Sequence, residues 1–149
     1  MMNRVLLLML LLTGAGCGKP DSDQLLRRYL VDDIGLNKEQ LPSAIFVITE
    51  DGCPTCDRAF ANLVRPRTST SRCLFLVRAE GRSVDLNGFL NETENVRFDN
   101  GTFKDLGILK ASGLILLDND RVDTVIALQA SEISKQLFYI TSLLDSLGH

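Results

Sequence analysis

The sequence from Ser43 to Val64 is SAIFVITEDGCPTCDRAFANLV, and it holds the motif that decides the fold. It begins with an apolar run typical of a buried strand, continues into a short polar loop, and ends in a helical pattern. Two cysteines, Cys53 and Cys56, lie where the strand gives way to the helix. A Cys-x-x-Cys motif in that setting predicts a redox-active pair of thiols.

The start of the helix explains why these thiols would be reactive. Pro54 suits the first helical position, because the N–H that it lacks would have no partner there. Cys53 is then the predicted N-cap residue, with Cys56 one turn further along. The unpaired N–H groups and the positive end of the helix dipole favour the thiolate of Cys53, which is the form that attacks disulfides. We therefore predict that Cys53 is the nucleophile and that Cys56 resolves the mixed disulfide.

The motif and its setting resemble those of the thioredoxin-like superfamily, as does the order of elements over residues 41–147. Cys-Pro-Thr-Cys at 53–56 is similar to the Cys-Pro-x-Cys of glutaredoxins and periplasmic disulfide oxidases. The resemblance implies an α/β fold: a three-layer α/β/α sandwich whose mixed sheet ends in a C-terminal β-hairpin and helix. It also implies a thiol-disulfide oxidoreductase that needs no cofactor and exchanges with protein thiols or disulfides.

Three positions depart from the pattern of this superfamily. Gly52 stands where thioredoxins carry a Trp, Val47 where they carry a buried Asp that assists proton transfer, and Ser112 where nearly all members have a cis-proline. A residue other than proline pays about 2.5 to 4 kcal/mol to be cis, so we expect Ser112 to be trans. In the family this loop pairs with an extended substrate backbone and shields the thiols from metal ions. Ser112 is thus a predicted substrate-binding residue, with weaker pairing and easier metal binding than in the family.

The beginning of the chain has the layout of a secretory signal peptide. Arg4 precedes an apolar run at residues 5–12, which is too short to span a bilayer as a stable helix, and small residues lead to Cys17. A cysteine at that point resembles the bacterial lipoprotein box. We predict a signal peptide at residues 1–16, lipidation of Cys17, and a tether with an N-terminal helix at 17–40. The alternative is a plain signal peptide in which Cys17 has no special role.

These features predict a protein anchored by lipid in the bacterial cell envelope and facing the periplasm. Disulfides persist outside the cytosol. With Cys17 assigned to lipid, the simplest pairing joins Cys53 to Cys56 and leaves Cys73 alone. Cys73 opens the apolar run at 73–77, so we expect a small buried residue at the end of the sheet opposite Cys53.

Composition predicts one domain and excludes one class of partner. About 130 of the 149 residues remain after processing, which is enough for a single core, and residues 41–149 form the predicted thioredoxin-like domain. Removal of Arg4 with the signal peptide takes the net charge from −3 to −4. A mildly acidic chain without a basic cluster predicts no binding to nucleic acid.

The remaining elements follow from local patterns. An amphipathic helix is predicted at residues 21–36, with an N-cap among Asp21, Ser22 and Asp23 and an end at Gly35. Strands at 43–49 and 73–77 form a parallel pair, with a brief strand at 96–98 and short helical turns at 85–91 and 102–109. Two apolar runs flank the turn at 118–120 and predict a hairpin. Ser131 is the predicted cap of the last helix.

Other chemistry lacks the residues that it needs. His149 is the single histidine and ends the chain, so a Ser-His-Asp or Cys-His set has no plausible base, and no metal ligand set is predicted. Glu50, Asp51 and Asp57 flank the thiols. We expect them to form a solvated rim, with proton relay by Glu50 or Asp51 as the lesser alternative.

Two further classes of function stay open at this stage, and enzymatic activity is not decided. The Cys53–Cys56 bridge could merely hold the helix start in a non-catalytic binding module. Alternatively, the two thiolates could capture Cu(I) beside the Ser112 loop. The direction of electron flow is also open.

Overall fold

Residues 44–49 form β1 (Ala44–Thr49), the central strand of a five-stranded mixed sheet. All six residues of β1 are buried, because helices cover both faces of the sheet and such a strand has no polar side. β2 (Cys73–Arg78) is parallel to β1, and β4 (Gly113–Asp118) is antiparallel to it. The structure, a computed structural model, describes residues 21–90 and 94–148.

The strand order across the sheet is β3-β2-β1-β4-β5. β3 (Val96–Phe98) is parallel to β2, and β5 (Arg121–Ala127) is antiparallel to β4. Asn119 and Asp120 join β4 to β5 with φ of 49° and 64°, as a two-residue hairpin turn requires. The predicted mixed α/β fold with a terminal hairpin is confirmed, and it is consistent with a thioredoxin-like fold.

Helices lie on both faces of the sheet and make three layers with it. They are, in chain order, α1 (Ser22–Arg28), α2 (Pro54–Val64), α3 (Asn87–Leu90), α4 (Thr102–Asp105) and α5 (Ile133–Leu147). Phe60 of α2 and Ile140 of α5 belong to the core on one face, whereas Leu26 of α1 and Phe103 of α4 belong to the core on the other.

The N-terminal helix follows its prediction at both ends. α1 continues into a π-helical turn at Tyr29–Asp33. Gly35, the predicted end of the helix, lies shortly after this turn and has a φ of 79°. Asp21 occupies the N-cap position but its side chain makes no capping hydrogen bond. The carboxylate of Asp23 accepts a hydrogen bond from the N–H of Val122 at 2.9 Å, and this bond connects α1 to the β4–β5 hairpin.

The predicted cap of the last helix is wrong. Ser131 lies in a turn before the helix, and Glu132 is the N-cap residue without a side-chain bond. Gln136 connects the helix start to the end of β5, because its side chain accepts from the N–H of Gln129 at 3.0 Å and donates to the carbonyl of Ala127 at 2.9 Å.

The two ends of the sheet carry different features. Cys53 follows the end of β1, whereas the β4–β5 turn lies at the end where β1 begins, since Ala44 pairs with Leu116. The start of α1 adjoins that turn, and both line one cleft. The chain therefore enters the domain at the end of the sheet opposite the cysteine motif.

The predicted signal peptide (1–16), the lipidation site Cys17 and the first residues of the tether lie outside the described residues, and so does His149. Within 21–90 and 94–148, no helix is both long enough and apolar enough to cross a bilayer.

Candidate functional site

The cysteine motif has the predicted geometry. Cys53 is the N-cap residue of α2 with extended backbone, and Pro54 is the first helical residue. The sulfur atoms of Cys53 and Cys56 lie at disulfide distance, and their Cα atoms are 5.1 Å apart. The predicted pairing is confirmed, and the pair lies where the positive end of the helix dipole acts on it.

The two cysteines differ in burial. Cys53 is partly exposed, whereas Cys56 is 3% exposed and belongs to the core. The N–H of Cys56 donates to the Cys53 sulfur at 3.3 Å. Cys53 is therefore the cysteine nearer to the surface, and a negative charge on its sulfur would be met by a hydrogen-bond donor.

Ser112 lies directly before β4, beside the end of β1. The peptide bonds in the described part of the chain are all trans, as expected for Ser112. Its side chain is fully buried. The hydroxyl accepts from the N–H of Thr49 at 2.9 Å and donates to the carbonyl of Thr49 at 3.1 Å, which joins the ends of the two strands. Substrate binding by this loop would thus fall to its backbone and stays a prediction.

The prediction of a solvated rim is wrong for Asp57. This residue is 1% exposed, and its Oδ2 has no hydrogen-bond partner among the residues that the structure describes. Burial raises the pKa of Asp57; hydrogen bonding from Ser112 and Gly52 acts against that rise, and the charges of Asp51 and Glu50 add to it.

A sequence signal for the burial of Asp57 existed. Asp57, Ala61 and Val64 follow one another at helical spacing, and all three are buried on one face of α2. The charge of Asp57 and its place next to the loop favour the surface, but the helical spacing is what the structure follows.

Glu50 is not simply a solvated side chain either. Its carboxylate accepts from the N–H groups of Glu80 at 2.8 Å and Val84 at 2.9 Å, and also from Ser83. Burial acts to raise the pKa of Glu50, but these hydrogen bonds prevail and lower it to about 2. Glu50 therefore holds the loop after β2 against the cysteine loop.

Asp51 meets the expectation of an exposed rim residue. It forms ion pairs with Arg78, at the end of β2, and with Lys104 at 3.5 Å. Arg78 also donates to the carbonyl of Lys110 at 3.4 Å. These contacts connect the cysteine loop to β2 and to the segment before β4.

Cys73 lies where the sequence predicted. It pairs with Ala44 at the start of β1, at the far end of the sheet from Cys53, and is 3% exposed. Burial raises the pKa of its thiol to about 11. A cavity of about 410 Å³ at that end, which Arg72 and Cys73 help to line, is separate from the cysteine pair.

The described residues contain no cluster of three or more His, Cys, Asp or Glu side chains that could hold a metal ion. No protein-family model, no curated protein and no solved structure matches this chain. The case for a function therefore comes from the geometry around Cys53.

Proposed function

We propose that this protein is a thiol-disulfide oxidoreductase that exchanges disulfides with proteins of the bacterial envelope through Cys53 and Cys56. One observation carries the proposal: a partly exposed cysteine at a helix start is paired with a buried cysteine one turn away. Such a pair lets a partner attack one defined sulfur and leaves the other to complete the reaction.

The exchange has two steps in the oxidising direction. A partner thiolate attacks the Cys53 sulfur, the Cys53–Cys56 bond breaks, and Cys56 leaves as a thiolate that takes up a proton. The second thiolate of the same partner then attacks the partner sulfur of the mixed disulfide. Cys53 leaves as a thiolate. The partner gains a disulfide, and its two electrons reside on the reduced pair. The reducing direction is the reverse, and which direction operates depends on the protein that recycles the pair.

Trapping of the mixed disulfide tests this function. Cys56→Ser removes the resolving thiol, so complexes with partner proteins should accumulate on Cys53 in envelope extracts and should dissociate with a reductant. Cys53→Ser is the matched control and should trap none. The purified protein should also reduce insulin disulfides or oxidise a dithiol peptide. Equal activity of Cys53→Ser and the unmodified protein, together with no trapped complexes, would contradict the proposal.

The proposed location has its own test. In bacterial cells the full chain should fractionate with membranes and carry the mass of a lipid on Cys17, and Cys17→Ser should release it from the membrane. An unlipidated, soluble product from the unmodified chain would remove the anchor from the proposal without affecting the chemistry.

The burial of Cys56 in the core favours a second candidate, in which the bridge only staples the start of α2 and the domain binds an envelope partner. The reduction potential separates the two. The reduction potential of an exchanging pair should lie between about −120 and −270 mV, whereas that of a structural bridge typically lies below about −300 mV. Titration against glutathione and dithiothreitol measures it.

A further inference from the structure

The outer side of α1 carries cations that the exchange chemistry does not use. Arg27 and Arg28 end α1, and Lys38 comes from the loop that follows. All three residues are exposed. Within 21–90 and 94–148, the side chains of these three residues form no ion pair and no hydrogen bond. Because they hold nothing inside the protein, they are available to an anion from outside.

These cations share an open cleft of about 300 Å³. One carboxylate, that of Asp32, lines the cleft together with the uncharged side chains of Gln24 and Val31. Three cations and one carboxylate give the cleft a net charge of +2. A cleft lined mostly by one sign of charge concentrates ligands of the opposite sign. The cleft therefore favours an anionic ligand.

The cleft forms where the helix is irregular. α1 continues as a π-helical turn at Tyr29–Asp33, and such turns are rare and often occur at functional sites. The N–H of Leu36 then donates to the carbonyl of Leu30 at 2.9 Å, and the chain folds back so that Lys38 reaches the cleft. The cluster is thus made by folding and is not visible as a basic run in the sequence.

A phosphate group suits this set of side chains. The guanidinium groups of Arg27 and Arg28 can each present two N–H donors to phosphate oxygens, and Lys38 adds a point charge. Asp32 and Gln24 supply acceptors for hydroxyl groups beside the phosphate. The chemistry of the cleft therefore fits a phosphodiester that carries hydroxyl groups, such as the headgroup of an anionic phospholipid.

The position of the cleft indicates where such a group would come from. Asp21 directly precedes α1, and four residue steps separate it from Cys17, so that the two lie at most about 14 Å apart. Arg27 and Arg28 follow Asp21 within about two helical turns. A lipid on Cys17 would therefore keep the cleft within reach of the membrane headgroups.

The sheet separates this cleft from the cysteine motif. Leu26 of α1 belongs to the core on one face of the sheet, whereas Cys56 and Phe60 of α2 belong to the core on the other face. A membrane in contact with the outer side of α1 would thus leave the α2 face, with Cys53 at its start, turned away from the lipid.

We propose that the cleft of Arg27, Arg28 and Lys38 binds the headgroup of an anionic phospholipid in the membrane that holds the protein. The contact is non-covalent, adds to the hold of the lipid on Cys17, and fixes which side of the domain faces the membrane. The inference goes beyond disulfide exchange, and it rests on the proposed anchor for its biological role.

Binding of the full chain to vesicles tests the inference. At low salt the chain should bind vesicles of equal parts phosphatidylcholine and phosphatidylglycerol at least about tenfold more tightly than vesicles of phosphatidylcholine alone. The apolar run at 5–12 is present in every sample, so the difference reports the charge of the lipid. Equal affinity for the two kinds of vesicle would overturn the inference.

Charge reversal locates the binding site. The double variant Arg27→Glu, Arg28→Glu should lose most of the preference for anionic vesicles. The double variant Lys110→Glu, Lys135→Glu makes the same change in net charge at exposed positions outside the cleft and should keep the preference. An equal loss in both variants would show a general effect of net charge and overturn the assignment. Circular dichroism checks that both variants fold.

A soluble lipid distinguishes a headgroup site from a site for free phosphate, and it needs no variant. In NMR spectra of the unmodified chain, dihexanoyl phosphatidylglycerol below its micelle concentration should shift the amide signals of Arg27, Arg28 and Lys38. Inorganic phosphate and dihexanoyl phosphatidylcholine at the same concentration should shift them much less. Equal shifts with inorganic phosphate, or shifts confined to other residues, would overturn the inference.

These results are separable from the tests of the proposed function. If Cys17 carries a lipid but binding does not depend on phosphatidylglycerol, the inference fails alone. If binding depends on phosphatidylglycerol and on Arg27 and Arg28 but Cys17 carries no lipid, the anchor fails and the headgroup site stands. Neither result bears on disulfide exchange at Cys53.

Discussion

The N–H of Cys56 donates to the sulfur of Cys53 at 3.3 Å, within the first turn of α2. This bond and the helix dipole stabilise a thiolate at Cys53, whereas burial raises the pKa of the Cys73 thiol to about 11. In the reduced protein at pH 6, iodoacetamide should therefore modify Cys53 at least about tenfold faster than Cys73. Mass spectrometry of tryptic peptides measures both rates in one sample. Equal rates in the folded protein, with the denatured protein as control, would contradict the assignment of Cys53.

Glu50→Gln should weaken the protein against unfolding at neutral pH, and much less at pH 2.5. The hydrogen bonds from Ser83, Val84 and Glu80 depress the pKa of Glu50, so its stabilisation is complete above its ordinary value of 4.5 and is lost as the pH falls towards about 2. We expect a loss of about 2 kcal/mol at pH 7.

Urea unfolding at pH 7 and pH 2.5 checks this difference. Glu39→Gln, which changes an exposed carboxylate, should alter stability by less than about 0.5 kcal/mol at both values. The same loss at both pH values for Glu50→Gln would show that the charge of Glu50 is not what holds the loop.

Ser112→Ala should destabilise the fold by about 1 to 3 kcal/mol, because it leaves the buried N–H of Thr49 without its acceptor. Ser134→Ala, on the exposed side of α5, should be close to neutral. Thermal or urea unfolding compares the two variants. Similar stability of both would mean that water replaces the lost acceptor at Thr49.

Gly113→Ala should disrupt the pairing of β4 with β5. A Cβ at Gly113 would lie 2.0 Å from the carbonyl oxygen of Ile126, and this contact is with backbone that cannot move aside without breaking the strand pair. We expect a loss of about 3 kcal/mol or more. Gly148→Ala, whose nearest contact would be 3.4 Å, should keep the stability of the unmodified protein. Amide exchange of β5 would report the disruption directly.

The parts of the fold that the sequence predicts depend on local patterns. The apolar runs of β1 and β2 are buried strands, the polar turn at 118–120 joins two strands, and Pro54 marks the start of α2. Each signal lies within a few residues of the element that it forms and does not depend on distant contacts.

The parts that escaped prediction depend on contacts distant in sequence. Glu50 binds N–H groups 30 to 34 residues away, and Ser112 bonds to a strand end 63 residues away. For Asp57 the signal was local and not distant. Its helical spacing indicates the buried face of α2, whereas its charge suggests the surface. A charged residue on an apolar face is worth noting because burial at that cost often accompanies a function.

The first described residue, Asp21, and the cysteine motif lie at opposite ends of the sheet. Asp21 lies beside the β4–β5 turn, and Cys53 lies beyond the other end of the sheet. Any surface that held the residues just before Asp21 would have the cysteine motif on the side of the domain turned outward. Proteins that diffuse above such a surface would then approach the end of the domain that carries Cys53.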